Sequence, residues 1–424
     1  MEPTSEEDIR AILDGAFKGS RDVGLINYRL LSNSPNGFNG LYYTILIKYS
    51  EKSSEAEAEA ELSCFAKALP LDERHLADLR GSRLVHKEHE FFLRLVPTFE
   101  KFIDFELPLP RCYYFRFDER AFGRTLSVME DLQEQGFVTR DKLVPMNAQE
   151  LSVTMPAMAR LHAASMVTEQ KSDIRLRTFC RNPEEALWTL DESRPFYPWL
   201  QSAIDTVVEV AKRRDRFAQR IGAPGAERKV TTAFEQTRLK LQISDTYCNV
   251  VCHGDVWNNN LMYRYSEAGE PTAVRIFDFQ NYRVVPPITD LLMFIFVNSS
   301  RQVRAQVMDR LVSEYWRTLD ELLRDAGCRL PPEMADLPTT RRLVDEYWLA
   351  GIVTAAGYVP MCQMPPGSRE KNVPQAGENQ LDFDVMDDFL RGRGEAVLRG
   401  MGISQMFADN VEDIIQELFE YIGI

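Results

Sequence analysis

Asp255 and Asn260 stand five positions apart in His253-Gly254-Asp255-Val256-Trp257-Asn258-Asn259-Asn260, a polar stretch set between the apolar runs 250–252 and 261–263. The flanking runs read as strands, so the polar residues fall in the loop between them, where a carboxylate and an amide face the same small volume. That pair suits phosphoryl transfer, in which a carboxylate accepts a hydroxyl proton and an amide oxygen holds Mg2+. A second carboxylate follows. Residues 266–271 (Ser-Glu-Ala-Gly-Glu-Pro) form a turn cluster, and 273–280 read as a strand that runs into Asp278. Folding this hairpin returns Asp278 to the side of the loop that carries Asn260, where it would bind metal ions bridging nucleotide phosphates. His-Gly-Asp alone is ordinary turn chemistry. The ordered set of His-x-Asp, an Asn five positions on and a hairpin closing on Asp-Phe is what points to a kinase-type site. In that site Asp255 is the expected catalytic base, and Asn260 and Asp278 are the expected metal ligands.

The same residues resemble the kinase-like superfamily that phosphorylates small molecules, which includes choline kinases and aminoglycoside phosphotransferases. Within it, the resemblance is to the ecdysteroid kinase-like (CHK kinase-like) family. His253 to Asn260 is similar to that family's His-Gly-Asp-Leu-Trp-x-Asn-Asn signature, and Ile276-Phe277-Asp278-Phe279-Gln280 to its Ile-Asp-Phe-Gln signature. Trp257 and Gln280 single the family out, since protein kinases usually have Gly after Asp-Phe. Val256 and Phe277 depart from the usual residues by apolar exchanges that leave the chemistry intact. The resemblance implies an α+β, two-lobed, protein-kinase-like fold. A small β-rich lobe over residues 1–130 would bind the nucleotide, and a large, mostly helical lobe over 131–424 would carry catalysis and the acceptor. ATP and Mg2+ are the implied cofactors.

Taken in order, residues 6–17 place Ile9, Ile12, Leu13 and Phe17 at helical spacing. Residues 26–31 and 41–49 read as strands around a turn, 32–40, at the position where a kinase-like fold lays a loop over the phosphates; Gly37 and Gly40 would let the backbone approach closely. Residues 51–61, with Glu-Ala-Glu-Ala-Glu-Ala-Glu, are expected as a solvated loop or short helix. In the following strand, 62–70, the resemblance implies that Lys67 reaches the α and β phosphates. A helix over 81–96 would supply the Glu that holds Lys67 extended: Glu88 fits the family's Glu-x-x-Phe-Tyr pattern, with Glu90 the competing residue. Residues 107–110 and 112–117 are expected to continue the sheet, and 125–132 to end it. Met129 and Glu130 are implied to form the inter-lobe hinge that meets the adenine edge. Helices dominate beyond, with His162 expected as a buried core residue and Asp290 as a helix-capping carboxylate that braces the catalytic loop.

The net charge of −14 argues against a nucleic-acid partner, and a polyphosphate would need a local cationic pocket. Seven cysteines without Cys-x-x-Cys spacing, an acidic start with no apolar core and no long apolar run lead to the expectation of a cytoplasmic protein with reduced thiols, no zinc and no membrane partner. No obligate protein partner is implied. Fewer than a dozen residues lie between Asp278 and Asp290, and no Ala-Pro-Glu anchor is present, so a polypeptide acceptor lacks its platform. A small hydroxylated molecule is expected instead. The resemblance names a steroid or xenobiotic alcohol, with Trp257 and Tyr282 suited to an apolar ring system. A catalytically silent pseudokinase, a carrier of apolar ligands, and a cationic acceptor such as choline or an aminoglycoside are the alternatives.

Overall fold

The computed structural model describes residues 4–18, 23–33, 40–52, 57–69, 73–368 and 393–424. These divide into two units: the smaller lies within 1–81 and 109–138, and the larger within 82–108, 139–372 and 384–424.

The smaller unit opens with helix α1 (Glu6–Phe17), started by a capping box in which Ser5 accepts the Asp8 N–H and the Asp8 carboxylate takes the Ser5 N–H. The helical spacing puts Ile9, Ile12 and Leu13 on one face, which is buried against a five-stranded antiparallel sheet. Its strands are β1 (Val23–Ser32), β2 (Leu41–Lys52), β3 (Glu57–Ala68), β4 (Cys112–Arg116) and β5 (Leu126–Glu130), in the order β1-β2-β3-β5-β4. Ile45 and Ile47, Cys64 and Ala66, and Leu126 and Val128 alternate into the core as the period of two requires. Helix α2 (Glu73–Ser82) follows β3.

Two expectations are corrected here. Residues 57–61 are neither loop nor helix: they open β3, with Ala58 opposite Glu51 and Ala60 opposite Tyr49. The Glu-Ala alternation has a strand's period, and cross-strand pairing overrides the weak strand preference of both residue types. Residues 107–110 join no strand, because two prolines remove the N–H groups a ladder needs.

The larger unit begins with α3 (Leu84–Glu90), a π turn (Phe91–Leu95) and α4 (Val96–Phe99), which run as one rod. Helix α5 (Ala148–Lys171) is capped by Asn147 and Glu150. It is followed by α6 (Pro198–Arg213), α7 (Asp215–Ile221) and α8 (Ala226–Lys240). Four short strands then carry the polar motifs: β6 (Val250–Cys252), β7 (Leu261–Tyr265), β8 (Pro271–Ile276) and β9 (Arg283–Val285). Beyond them run α9 (Ile288–Asn298), α10 (Arg301–Asp325), α11 (Leu337–Cys362), α12 (Arg393–Ile403) and α13 (Gln405–Ile422). Every residue of α9 is buried, so this helix is the axis of the unit and α11 packs along it. No helix among the described residues is long and apolar enough to cross a membrane.

In the smaller unit Asp8 also accepts the Tyr114 hydroxyl at 2.7 Å and pairs with Arg116. Burial alone would raise its pKa, but the hydrogen bonds from Tyr114 and Ser5 and the Arg116 charge hold it below the ordinary value of 3.8. A depressed folded-state pKa contributes stability above the unfolded value that is lost as the pH falls through the folded one. Asp8→Asn is therefore expected to unfold at a lower temperature than wild type at neutral pH, with the gap closing below about pH 4. Unfolding midpoints measured across this range check it, and a gap independent of pH would contradict it.

Candidate active site

Strand β7 pairs with β8 with Leu261 opposite Ile276, and β9 pairs with β6 with Arg283 opposite Cys252. These two pairings bring the loop after β6 beside the loop after β8. A direct backbone bond, Phe277 N–H to Asn260 O at 3.1 Å, joins the two loops between Asn260 and Asp278.

Asp255 sits half-buried at the centre. The Asn260 side-chain amide donates to the Asp255 carbonyl at 2.9 Å and to its Oδ2 at 3.1 Å, and Asn281 Nδ2 donates to the same Oδ2 at 3.2 Å. Burial and the charge of Asp278 push the Asp255 carboxyl up to about 7, against the two amide hydrogen bonds and Arg283, which lower it.

The loop is shaped from below. Asp290, in the first turn of α9 and fully buried, accepts the N–H groups of His253 and Gly254 at 2.5 and 3.0 Å. Burial would raise its pKa, but His162, whose Nε2 is 3.6 Å away, together with Arg283 and His253 holds it below 3.8. His162 Nδ1 meets the Tyr315 hydroxyl at 2.8 Å, a core position as expected. His253 accepts the Asp255 N–H on Nδ1 at 3.1 Å, which leaves the proton on Nε2 to be donated to Phe277 O at 2.8 Å. The tautomer thus ties the base loop to the residue before Asp278. Burial keeps this imidazole neutral by lowering its pKa, although the Asp290 charge and the Phe277 carbonyl work the other way.

Two backbone conformations are specific to the site. Gly254 has φ +80°, and a Cβ there would lie 2.2 Å from Asn281 O, so only glycine fits. Asp278 has φ +66° without being glycine, a strained conformation of the kind that collects at functional sites.

The donor set fits a hard divalent cation. With its Nδ2 turned to Asp255, Asn260 presents Oδ1 elsewhere, and the Asp278 charge that raises the Asp255 pKa would be neutralised by a cation held there.

Of the other expected residues, Glu88 lies buried on α3 in the larger unit. Glu90 is saturated there, by Arg94 and the Arg181 N–H on one oxygen and by the Tyr282 hydroxyl and Asn182 on the other. In the smaller unit, Lys67 stands opposite Tyr42 and Ser127. Gly40 lies against it, since a Cβ on Gly40 would be 2.9 Å from Lys67 Cγ. Met129 and Glu130 end β5, where the Glu130 N–H is bonded to Arg111 O and its carboxylate accepts Arg111 N–H and Gln135. Gly37 lies outside the described residues. Tyr282 is wholly buried with its hydroxyl on Glu90, which removes it from any acceptor wall.

Four residues were not foreseen. Asn281 donates to Asp255 Oδ2. Arg283, beside Gly254, forms a buried ion pair with Glu185. Tyr358 on α11 lies within electrostatic reach of Asp255, Glu185 and Arg283. Asn281 directly follows the Gln280 signature and could have been weighed with it; Glu185 and Tyr358 carried no local signal.

Residues 36–328, more than half of the chain, match the family model of the ecdysteroid kinase-like family. No curated protein matches the sequence.

The steric requirement at Gly254 has a built-in control in Gly269, which has φ +77° but open space around it. Gly269→Ala should cost about 1–2 kcal/mol from the left-handed backbone alone. Gly254→Ala must also displace Asn281 and should cost clearly more in urea denaturation; equal losses at the two positions would contradict the steric account.

Proposed function

The chain belongs to the ecdysteroid kinase-like family, and from that premise we propose that it transfers the γ-phosphoryl group of ATP to a hydroxyl of a small apolar molecule, a steroid or xenobiotic alcohol. The observation that carries this reading is the Asp255 carboxylate, held by the Asn260 and Asn281 amides on a loop bonded to the one that carries Asp278. Asp255 orients the acceptor hydroxyl and takes its proton as the oxygen bonds to the γ-phosphorus and the bond from that phosphorus to the β–γ bridging oxygen breaks, releasing ADP. Asn260 and Asp278 would hold Mg2+, which supplies charge neutralisation at the phosphates. In the smaller unit Lys67, Gly40 and the 129–130 stretch would serve the nucleotide, and Glu88, in the larger unit, is the carboxylate that the family resemblance assigns to the phosphate-gripping lysine.

The acceptor class follows the family. Tyr358 and Cys362 on α11 lie within electrostatic reach of Asp255. They are buried in the core with Trp199, 5.4 Å from Tyr358, and with Trp188 and Phe234, and like Tyr282 they line no acceptor wall. The carboxylate of Glu185 is paired with Arg283. The seven cysteines are all free thiols, in keeping with action in the cytoplasm.

Incubation with Mg·ATP and a panel of hydroxysteroids, plant phenolics, choline and kanamycin tests the proposal. A mass gain of one phosphoryl group on a steroid or phenol is expected, and turnover of choline or kanamycin alone would overturn the acceptor class. Asp255→Asn should lower transfer roughly 10²- to 10⁴-fold with Mg·ATP affinity nearly unchanged. Retention of most activity in that variant would remove Asp255 from the role of base.

A further inference from the structure

Glu90 accepts four hydrogen bonds: from Arg94 Nη1 at 3.0 Å and the Arg181 N–H at 2.8 Å on Oε1, and from the Tyr282 hydroxyl at 2.8 Å and Asn182 Nδ2 at 3.2 Å on Oε2. It is buried on α3, two residues beyond Glu88. Its partner Tyr282 closes the short turn that begins at Asp278. The next turn of the rod continues the contact. The π turn places Phe91 face to face on Phe279 with ring centroids 3.7 Å apart, and Phe92 edge-on to the same ring at 6.0 Å. Such turns widen a helix by one residue, so that consecutive side chains face one neighbour, and they recur at functional sites. One turn before Glu90, the fully buried Lys87 donates to Tyr282 O at 2.9 Å and to Glu184 O.

We infer that Glu90 is a positioning residue of the phosphoryl-transfer site: through Tyr282 it locks the helix that carries Glu88 to the turn that carries Asp278, so that the two move as one block. The inference rests on the proposed roles of Glu88 and Asp278. Both groups are proposed to serve the same nucleotide. Fixing their mutual position in advance removes an ordering cost that ATP binding would otherwise bear. A carboxylate suits the lock, because it accepts several bonds at once and charge-assisted bonds are the strong ones.

Tyr282→Phe removes one hydrogen bond and keeps the buried ring; Glu90→Gln keeps the shape and removes the charge. Both are expected to fold and to weaken Mg·ATP, by roughly 3- to 10-fold for Tyr282→Phe and by more for Glu90→Gln, with KM for the acceptor unchanged. Arg94→Met removes a Glu90 partner that does not touch the 279–282 turn; it should lower the unfolding midpoint and leave Mg·ATP affinity as it was. A lowered midpoint with unchanged Mg·ATP affinity in Tyr282→Phe would mean a purely structural contact and overturn the inference. Backbone hydrogen exchange gives a second readout that needs no turnover. In Tyr282→Phe, protection should fall together in 84–95 and 279–285, and a loss confined to one of them would also overturn the lock. If wild type binds no Mg·ATP, the functional reading fails, and the exchange result still decides whether the block exists.

Discussion

Two backbone N–H groups, those of His253 and Gly254, end on one buried carboxylate, Asp290, and the geometry of the site follows from that clamp. Burying an ionised carboxylate is costly unless it is hydrogen-bonded and paired. Here the cost is offset by the two N–H donors, by His162 behind and by the Arg283 charge. With the His253–Gly254 backbone fixed, the positive φ of Gly254 turns the chain sharply into Asp255. His253 then spends one ring nitrogen on the Asp255 N–H and the other on the Phe277 carbonyl. A single buried anion on α9 therefore positions the loop that carries Asp255, and a single neutral imidazole carries that position across to the residue before Asp278.

The chemistry is divided by environment. Asp255 is held where its charge is disfavoured by burial and by Asp278, which suits a group that must take up a proton. Asn260 is an amide, so it can turn its N–H₂ to Asp255 while offering oxygen to a cation without adding a third repelling charge.

What the sequence disclosed and what it concealed differ in range. His253, Asp255, Asn260, Asp278 and Asp290 are legible because their spacing is local and their residue types are dictated by chemistry. The α+β fold is legible through the family resemblance carried by the His253–Asn260 and Ile276–Gln280 motifs, while strand and helix periods mark single elements such as α1 and β2. Glu185 and Arg283 lie 98 positions apart, and Glu90 and Tyr282 lie 192 apart. No local pattern announces such pairs, and a lone buried charge looks like a surface one until its partner is placed. The Glu-Ala run misled for a different reason: its composition suggested solvated loop or helix, while its alternation, which decided the outcome, was that of a strand.

Base and metal site are proposed as separate functions on two neighbouring loops, joined by the bond from the Phe277 N–H to Asn260 O. Binding of Mn·ATP, followed by the electron paramagnetic resonance of the manganese, tests it most directly when Asp278→Ala is set beside Asp255→Asn. The account predicts that the first variant loses the bound-metal signal and the second keeps it. A signal retained in Asp278→Ala, or lost in Asp255→Asn alone, would contradict it.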